Sequence, residues 1–152
     1  MFRRILVCLD GSGLSEQILQ YASEEAIGGD REVVLLRVVS LSHSTTIAVP
    51  GVISSIPPSP PAPQQLAAEE EEAKEYLDAK AKALKKIGIK TENVVLIGNP
   101  GEEIVDYAHK HKIDLIAIAT HGRSGIKRML FGSVTEYVIK NSKLPILLIK
   151  PK

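Results

Sequence analysis

The chain has 152 residues, 44% hydrophobic and 24% charged, with a net charge of +1; this is the balance of one ordinary globular domain spanning residues 1–152. So small a charge excludes bulk attraction to nucleic acid or an anionic membrane, and no apolar stretch approaches the roughly 18 residues that cross a bilayer. The single cysteine, Cys8, cannot form an internal disulfide and sits in an apolar run, which fits a buried thiol in a reducing cytoplasm.

Arg3 and Arg4 precede the apolar run Ile5 to Leu9, but Asp10 ends that run too early for a signal peptide. The run reads as a strand buried on both faces. Asp10-Gly11-Ser12-Gly13 is turn chemistry. Leu14, Ile18, Ala22 and Ala26 then mark one face of a helix that Gly28-Gly29 ends. Val33 to Val39 reads as a second buried strand. Residues 41–66 carry six prolines, and proline removes backbone donors and fixes φ. The expectation there is a long flexible surface loop with no helix and no central strand. Glu69 to Glu72 are expected to open the next helix, where acids suit the macrodipole. Ala73, Leu77, Ala81 and Leu84 form its inner face, and Gly88 stops it. Val94 to Ile97 is a third strand. Asn99-Pro100-Gly101-Glu102 has the form of a capping box with proline at the first helical position. Ile104, Val105 and Ala108 give that helix its apolar side. Leu115 to Ala119 is a fourth strand, Ser133 to Lys140 a fourth helix and Ile146 to Ile149 a fifth strand.

Alternating buried strands and amphipathic helices predict an α/β fold: an open five-stranded parallel sheet, Rossmann-like, with helices on both faces. With strand order 3-2-1-4-5, ligands bind beyond the carboxyl ends of the first and fourth strands, where the order reverses. The turn at Asp10 and the loop after Thr120 then face one crevice. Several chemistries are excluded there. Gly11-x-Gly13 begins like a dinucleotide fingerprint, but Glu16 stands where its third glycine belongs. No Walker-type glycine-lysine-serine run is present, and a phosphoacceptor domain would need an acid where the chain reads Ile97-Gly98-Asn99. No Cys/His pair has zinc spacing, and His109 and His111 point to different helix faces, so no protein metal centre is expected.

The loop His121 to Ser133 is more specific. Gly122 comes after a strand, where a missing Cβ lets backbone amides approach a ligand. Gly132-Ser133 opens a helix, whose first turn offers free N–H groups and partial positive charge to an anion. Arg123, Lys127 and Arg128 add charge. The competing role for Ser133 is that of a helix cap, with Glu136 completing a capping box, worth ~1 kcal/mol.

Ala119-Thr120-His121-Gly122, nine residues and then Gly132-Ser133 resemble the nucleotide motif of the universal stress protein family. That motif is glycine, two residues, glycine, nine residues, then glycine with serine or threonine. The likeness runs through nearly the whole chain: Ile5 to Ser12 with its aspartate after the first strand, Leu35 to Val38, Gly98-x-Pro100, Ser133-Val134-Thr135-Glu136 and Leu144-Pro145-Ile146. The resemblance implies the adenine nucleotide alpha hydrolase-like version of the fold and ATP, or AMP or ADP, in the crevice, with Mg2+ or Mn2+ on the phosphates. Asp10 would lie by the ribose or a metal-bridged phosphate, and the Val38 backbone would face adenine. Gly122, Arg123, Gly132, Ser133 and Val134 would surround the phosphates, with Leu9, Ala119 and His121 completing the site. Ala119 departs from the motif's first glycine, and its methyl group is expected to weaken binding without abolishing it.

No base is evident for fast phosphoryl transfer. The reading is therefore a nucleotide-dependent switch or sensor in stress response, with no catalytic residue and at most slow hydrolysis. A nucleotide-independent interaction module is the alternative. Ile146 to Ile149 would be an apolar edge strand, which must be covered or paired; the resemblance implies a homodimer through it.

Overall fold

The computed structural model describes residues 2–41, 43–49, 52–120 and 131–150. In chain order the elements are β1 (Arg4–Cys8), α1 (Gly13–Ala26), β2 (Glu32–Ser40), β3 (His43–Val49), β4 (Val52–Ser59), α2 (Pro63–Lys86), β5 (Lys90–Gly98), α3 (Pro100–Lys110), β6 (Leu115–Ala119), α4 (Ser133–Asn141) and β7 (Ile146–Ile149). Five strands form one parallel sheet in the order β5-β2-β1-β6-β7. Counted among themselves they run 3-2-1-4-5, the order expected for the fold.

Period-two alternation splits the strands' side chains into two core layers. Ile5, Val7 and Leu9 join Val33, Leu35, Leu115 and Ala117 under α1 and α2, whose Ile18, Ala22, Leu77, Ala81 and Leu84 face them. Leu6, Cys8, Val34, Leu36, Ile116 and Ile118 face α3 and α4 through Ile104, Val105, Tyr107, Ala108 and Val138. A fully buried Leu or Ile contributes roughly 1.5–3 kcal/mol of transfer free energy, so both layers hold the sheet against its helices. Cys8 lies in the second layer, and burial pushes its thiol up to about 12. It stays protonated and unreactive at neutral pH.

Helix starts are set by local chemistry. The Ser12 hydroxyl caps α1 by accepting the Ser15 amide at 3.1 Å. Asn99 caps α3 by accepting the Glu102 amide at 3.2 Å, with Pro100 in the first turn. The packing of α3 on α4 is close: a Cβ on Gly101 would stand 2.9 Å from the Tyr137 ring.

Residues 41–66 depart from the expected loop. His43–Val49 pairs antiparallel with Val52–Ser59 in a separate two-stranded ribbon. No partner sheet is needed for that, because each strand of a two-stranded ribbon is an edge and proline is tolerated at edges. The helix also begins earlier than Glu69. Pro63 opens α2, a position where its missing N–H costs nothing, and the Leu66 amide donates to Ala62 at 3.0 Å. Glu69 to Glu72 therefore lie inside the helix, and its first turn carries no acid. Strand β5 is longer than Val94 to Ile97, because as an edge strand its first half is the polar Lys-Thr-Glu-Asn.

Candidate functional site

The carboxyl ends of β1 and β6 lie side by side, with Val7 in register with Ala117. The segments leaving these two strands build the crevice. After β1 the chain turns through Gly11 at φ 86, left-handed backbone that suits glycine. The Ser12 amide donates to Asp10 Oδ1 at 2.8 Å, and the Ser15 hydroxyl donates to the Ser12 carbonyl at 2.9 Å. Ser15 is buried, so this short polar knot fixes both Asp10 and the first turn of α1. Leu9 is buried in the core layer and its amide donates to Leu36 at 2.9 Å. Gly13 has open space where a Cβ would stand.

After β6 the helix α4 is tied back to the strand that precedes it. The Gly132 amide donates to the Thr120 carbonyl at 2.7 Å, and the buried Thr135 hydroxyl donates to the Ala119 carbonyl at 2.8 Å. The first intrahelical amide bond of α4 is that from Glu136 to the Gly132 carbonyl, at 2.9 Å. The Ser133, Val134 and Thr135 amides of the first turn are thus the orphan donors of the helix, and they sit at the carboxyl end of β6. Thr135→Val is expected to lower stability by about 1–3 kcal/mol, since a buried carbonyl loses its donor. Urea unfolding measures this, and Thr135→Ser should restore most of the loss.

Ser133 is not the cap. Gly132 takes the extended cap conformation, φ −69 and ψ 162, and Ser133 is the first helical residue. Glu136 is accordingly one position too far for a capping box, and it pairs with Lys140 at 2.8 Å instead. Ser133 is exposed and its hydroxyl makes no hydrogen bond among the described residues. The cap role that competed for this hydroxyl is thereby excluded.

Ala119 is 5% exposed, and its methyl group packs in the apolar layer with Leu9, Ile18 and Ile149. Val38 lies at the carboxyl end of β2 in register with Leu96, half-buried. His121, Gly122 and Arg123, together with Lys127 and Arg128, lie outside the described residues. The structure thus brings Leu9, Asp10, Ala119, Gly132, Ser133 and Val134 to the ends of β1 and β6, with Val38 one strand away.

A cluster that no sequence motif announced borders the same end of the sheet. Tyr76 of α2 donates its hydroxyl to Glu16 Oε1 of α1 at 2.8 Å, and Lys80 Nζ meets the same oxygen at 3.0 Å. Arg37 of β2 lies over the Tyr76 ring, 4.9 Å from its centroid. The hydrogen bonds from Tyr76 and Lys80 hold the Glu16 carboxyl below its usual range. Burial, then the bond to Glu16, raises the Tyr76 hydroxyl. Glu16 has the lower value in the fold, so its contribution is present at neutral pH and fades as acid protonates it. Tyr76 and Glu16 are 60 residues apart in sequence and meet only through the fold.

Among the described residues no three His, Cys, Asp or Glu side chains cluster to hold a metal ion. His109 instead donates to the Ser142 carbonyl at 2.6 Å, and His111 stacks on Tyr107. An open groove lined by Asp78, Lys82, Lys85, Lys86 and Asn93 lies between α2 and β5. It is a lysine-rich face beside the edge strand β5. No described helix is long and apolar enough to cross a membrane.

The comparison with known proteins agrees with this fold. The model of the universal stress protein family matches residues 1–150. Universal stress protein MJ0531 of Methanocaldococcus jannaschii is 34% identical over 150 residues, covering 99% of this chain and 83% of its own. MJ0577 of the same organism is 31% identical over 164 residues, covering 100% and 97%. The solved structure of MJ0577 superposes with a TM-score of 0.78 at 29% identity, covering 100% of this chain and 98% of that one. UspA of Lactobacillus plantarum gives a TM-score of 0.79 at 23% identity, covering 97% of each chain. A family model spanning nearly the whole chain, relatives about a third identical from end to end, and a shared sheet order lead to one conclusion: this chain belongs to the universal stress protein family.

Proposed function

We propose that the chain binds an adenine nucleotide, ATP or its products AMP and ADP, and works as a dimeric, nucleotide-dependent switch or sensor in stress response. The observation that carries the reading is the first turn of α4. Three orphan amides and an exposed hydroxyl at Ser133 stand at the carboxyl end of β6, beside the Asp10 turn. A helix start of this kind suits a phosphate without further groups. The residues present fit the rest of the nucleotide: Asp10 for the ribose or a phosphate-bound Mg2+ or Mn2+, the Val38 backbone for adenine, and Leu9 and Ala119 as floor. Gly122, Arg123 and His121 complete the site by the family motif. A universal stress protein in complex with cAMP and one from Arabidopsis thaliana with AMP bound share the fold, which supports an adenine ligand here.

Hydrolysis is at most slow. Asp10 is the carboxylate at hand, and it is engaged in holding the turn at Ser12. The homodimer would form through β7, an edge strand with partly exposed Ile146, Leu147 and Leu148. The buried, reduced Cys8 fits a cytoplasmic protein.

The test is to denature purified protein, identify any released nucleotide, and titrate the stripped protein with ATP calorimetrically. Adenine nucleotide in the supernatant, or saturable binding heat, is the expected result. No released nucleotide and no heat at millimolar ATP would leave the nucleotide-independent interaction module as the function.

A further inference from the structure

Arg37 has binding capacity that the contacts proposed for ATP do not use. Alternation along β2 turns Leu35 and Arg37 to the side of α1 and α2. There the guanidinium rests on the Tyr76 ring, half-buried, and makes no hydrogen bond or ion pair with a described residue. Lys80, 5.4 Å from the same ring, differs: its charge is met by Glu16 at 3.0 Å. Tyr76 bonds Glu16 in the first turn of α1, so the cluster borders the turn after β1. A stacked guanidinium is already fixed in orientation, and little further freedom is lost when an anion docks on its N–H fork.

Its place in the sheet says which anion. Arg37 adjoins Val38, whose backbone is proposed to face adenine, and its ring partner Tyr76 is bonded to Glu16 in the first turn of α1, beside the Asp10 turn proposed for the ribose. A guanidinium between those two contacts suits a phosphoryl group on the ribose, which its fork can bind bidentately. Here the residue before Val38 is an arginine with no hydrogen bond or ion pair among the described residues. We propose that Arg37, held on Tyr76, recognises a phosphoryl group carried on the 2′ or 3′ oxygen of the bound adenosine. The inference rests on the adenine-nucleotide reading.

Calorimetric titration of the stripped protein with AMP, adenosine 2′,5′-bisphosphate and adenosine 3′,5′-bisphosphate tests it. One bisphosphate should bind about tenfold tighter than AMP, the scale of one charge-assisted pair, and which one it is assigns the oxygen. Arg37→Ala should bring that ratio to near unity. Arg37→Lys should keep only part of it, because the bidentate fork is gone. Tyr76→Phe, which retains the ring, should keep the preference. Wild-type protein that binds AMP as tightly as both bisphosphates overturns the inference and leaves the nucleotide reading intact. Arg37→Ala that weakens all three ligands equally overturns it too, assigning Arg37 to structure alone. Protein that binds none of them, nor ATP, overturns both.

Discussion

Ser133→Asp should abolish tight nucleotide binding while leaving the protein as stable as before or slightly more so. The two effects have opposite sign because they arise from the same field. Ser133 is the first residue of α4 and is exposed. A carboxylate there interacts favourably with the helix macrodipole, by about 0.3–1 kcal/mol at the surface. The same carboxylate occupies the ground that a phosphate would take and repels it. A loss of about 100-fold in affinity, roughly 2.7 kcal/mol, is expected by calorimetry. Thermal denaturation should show no fall in melting temperature. Ser133→Ala removes only a hydroxyl and should cost tenfold or less, about 1.4 kcal/mol. A Ser133→Asp protein with wild-type affinity would move the phosphate site away from the first turn of α4.

Leu148→Pro should convert the proposed dimer into monomers. In the β6–β7 ladder the Ile116 and Thr120 amides donate to the carbonyls of Pro145 and Ile149. Residues at odd positions of β7 thus turn their backbone groups toward β6, and by alternation Ile146 and Leu148 turn theirs to the open edge. Proline at 148 removes an outward donor and spares the inward ladder, which is why edge strands tolerate it. The Leu148 side chain also packs partly against the α3–α4 layer, so some stability is lost as well. Leu148→Ala separates the two effects, because it loses the same packing and keeps the N–H. Sedimentation velocity should find Leu148→Ala dimeric and Leu148→Pro monomeric. A dimer that survives the proline would place the interface elsewhere.

The five strands of the sheet were legible through their apolar runs, most fully in β1 and β6, where burial leaves such runs little alternative, and only in its apolar second half for the edge strand β5. The start of α3 was legible for a local reason, since Asn99-Pro100 precedes it, whereas Ser12, the cap of α1, read only as part of a turn. Misreadings fell where local signals conflict. Proline density from Pro50 to Pro63 argued for loop, yet a ribbon of two edge strands needs few donors and a helix can begin on Pro63. Ser133 looked like a cap because serine favours that place, but Gly132 adopted the extended conformation first. The tie from Thr135 to the Ala119 carbonyl and the Arg37-Tyr76-Glu16 cluster join residues from different elements. No spacing rule reports such contacts, which exist only once the sheet order is fixed.

The parallel sheet has a further consequence for its open edge. Edge strands that pair antiparallel are related by a two-fold axis perpendicular to the sheet. Every strand of one protomer then runs opposite to every strand of its mate. Because the carboxyl ends of all five strands in a protomer lie together, the two crevices of such a dimer would open in opposite directions, while both α3–α4 layers share one face. A nucleotide arriving in one crevice would have no direct contact with the other. Any cooperation between them must pass through the joined β7 strands and through the Ala119–Thr135 tie that fastens α4 to the strand beside them.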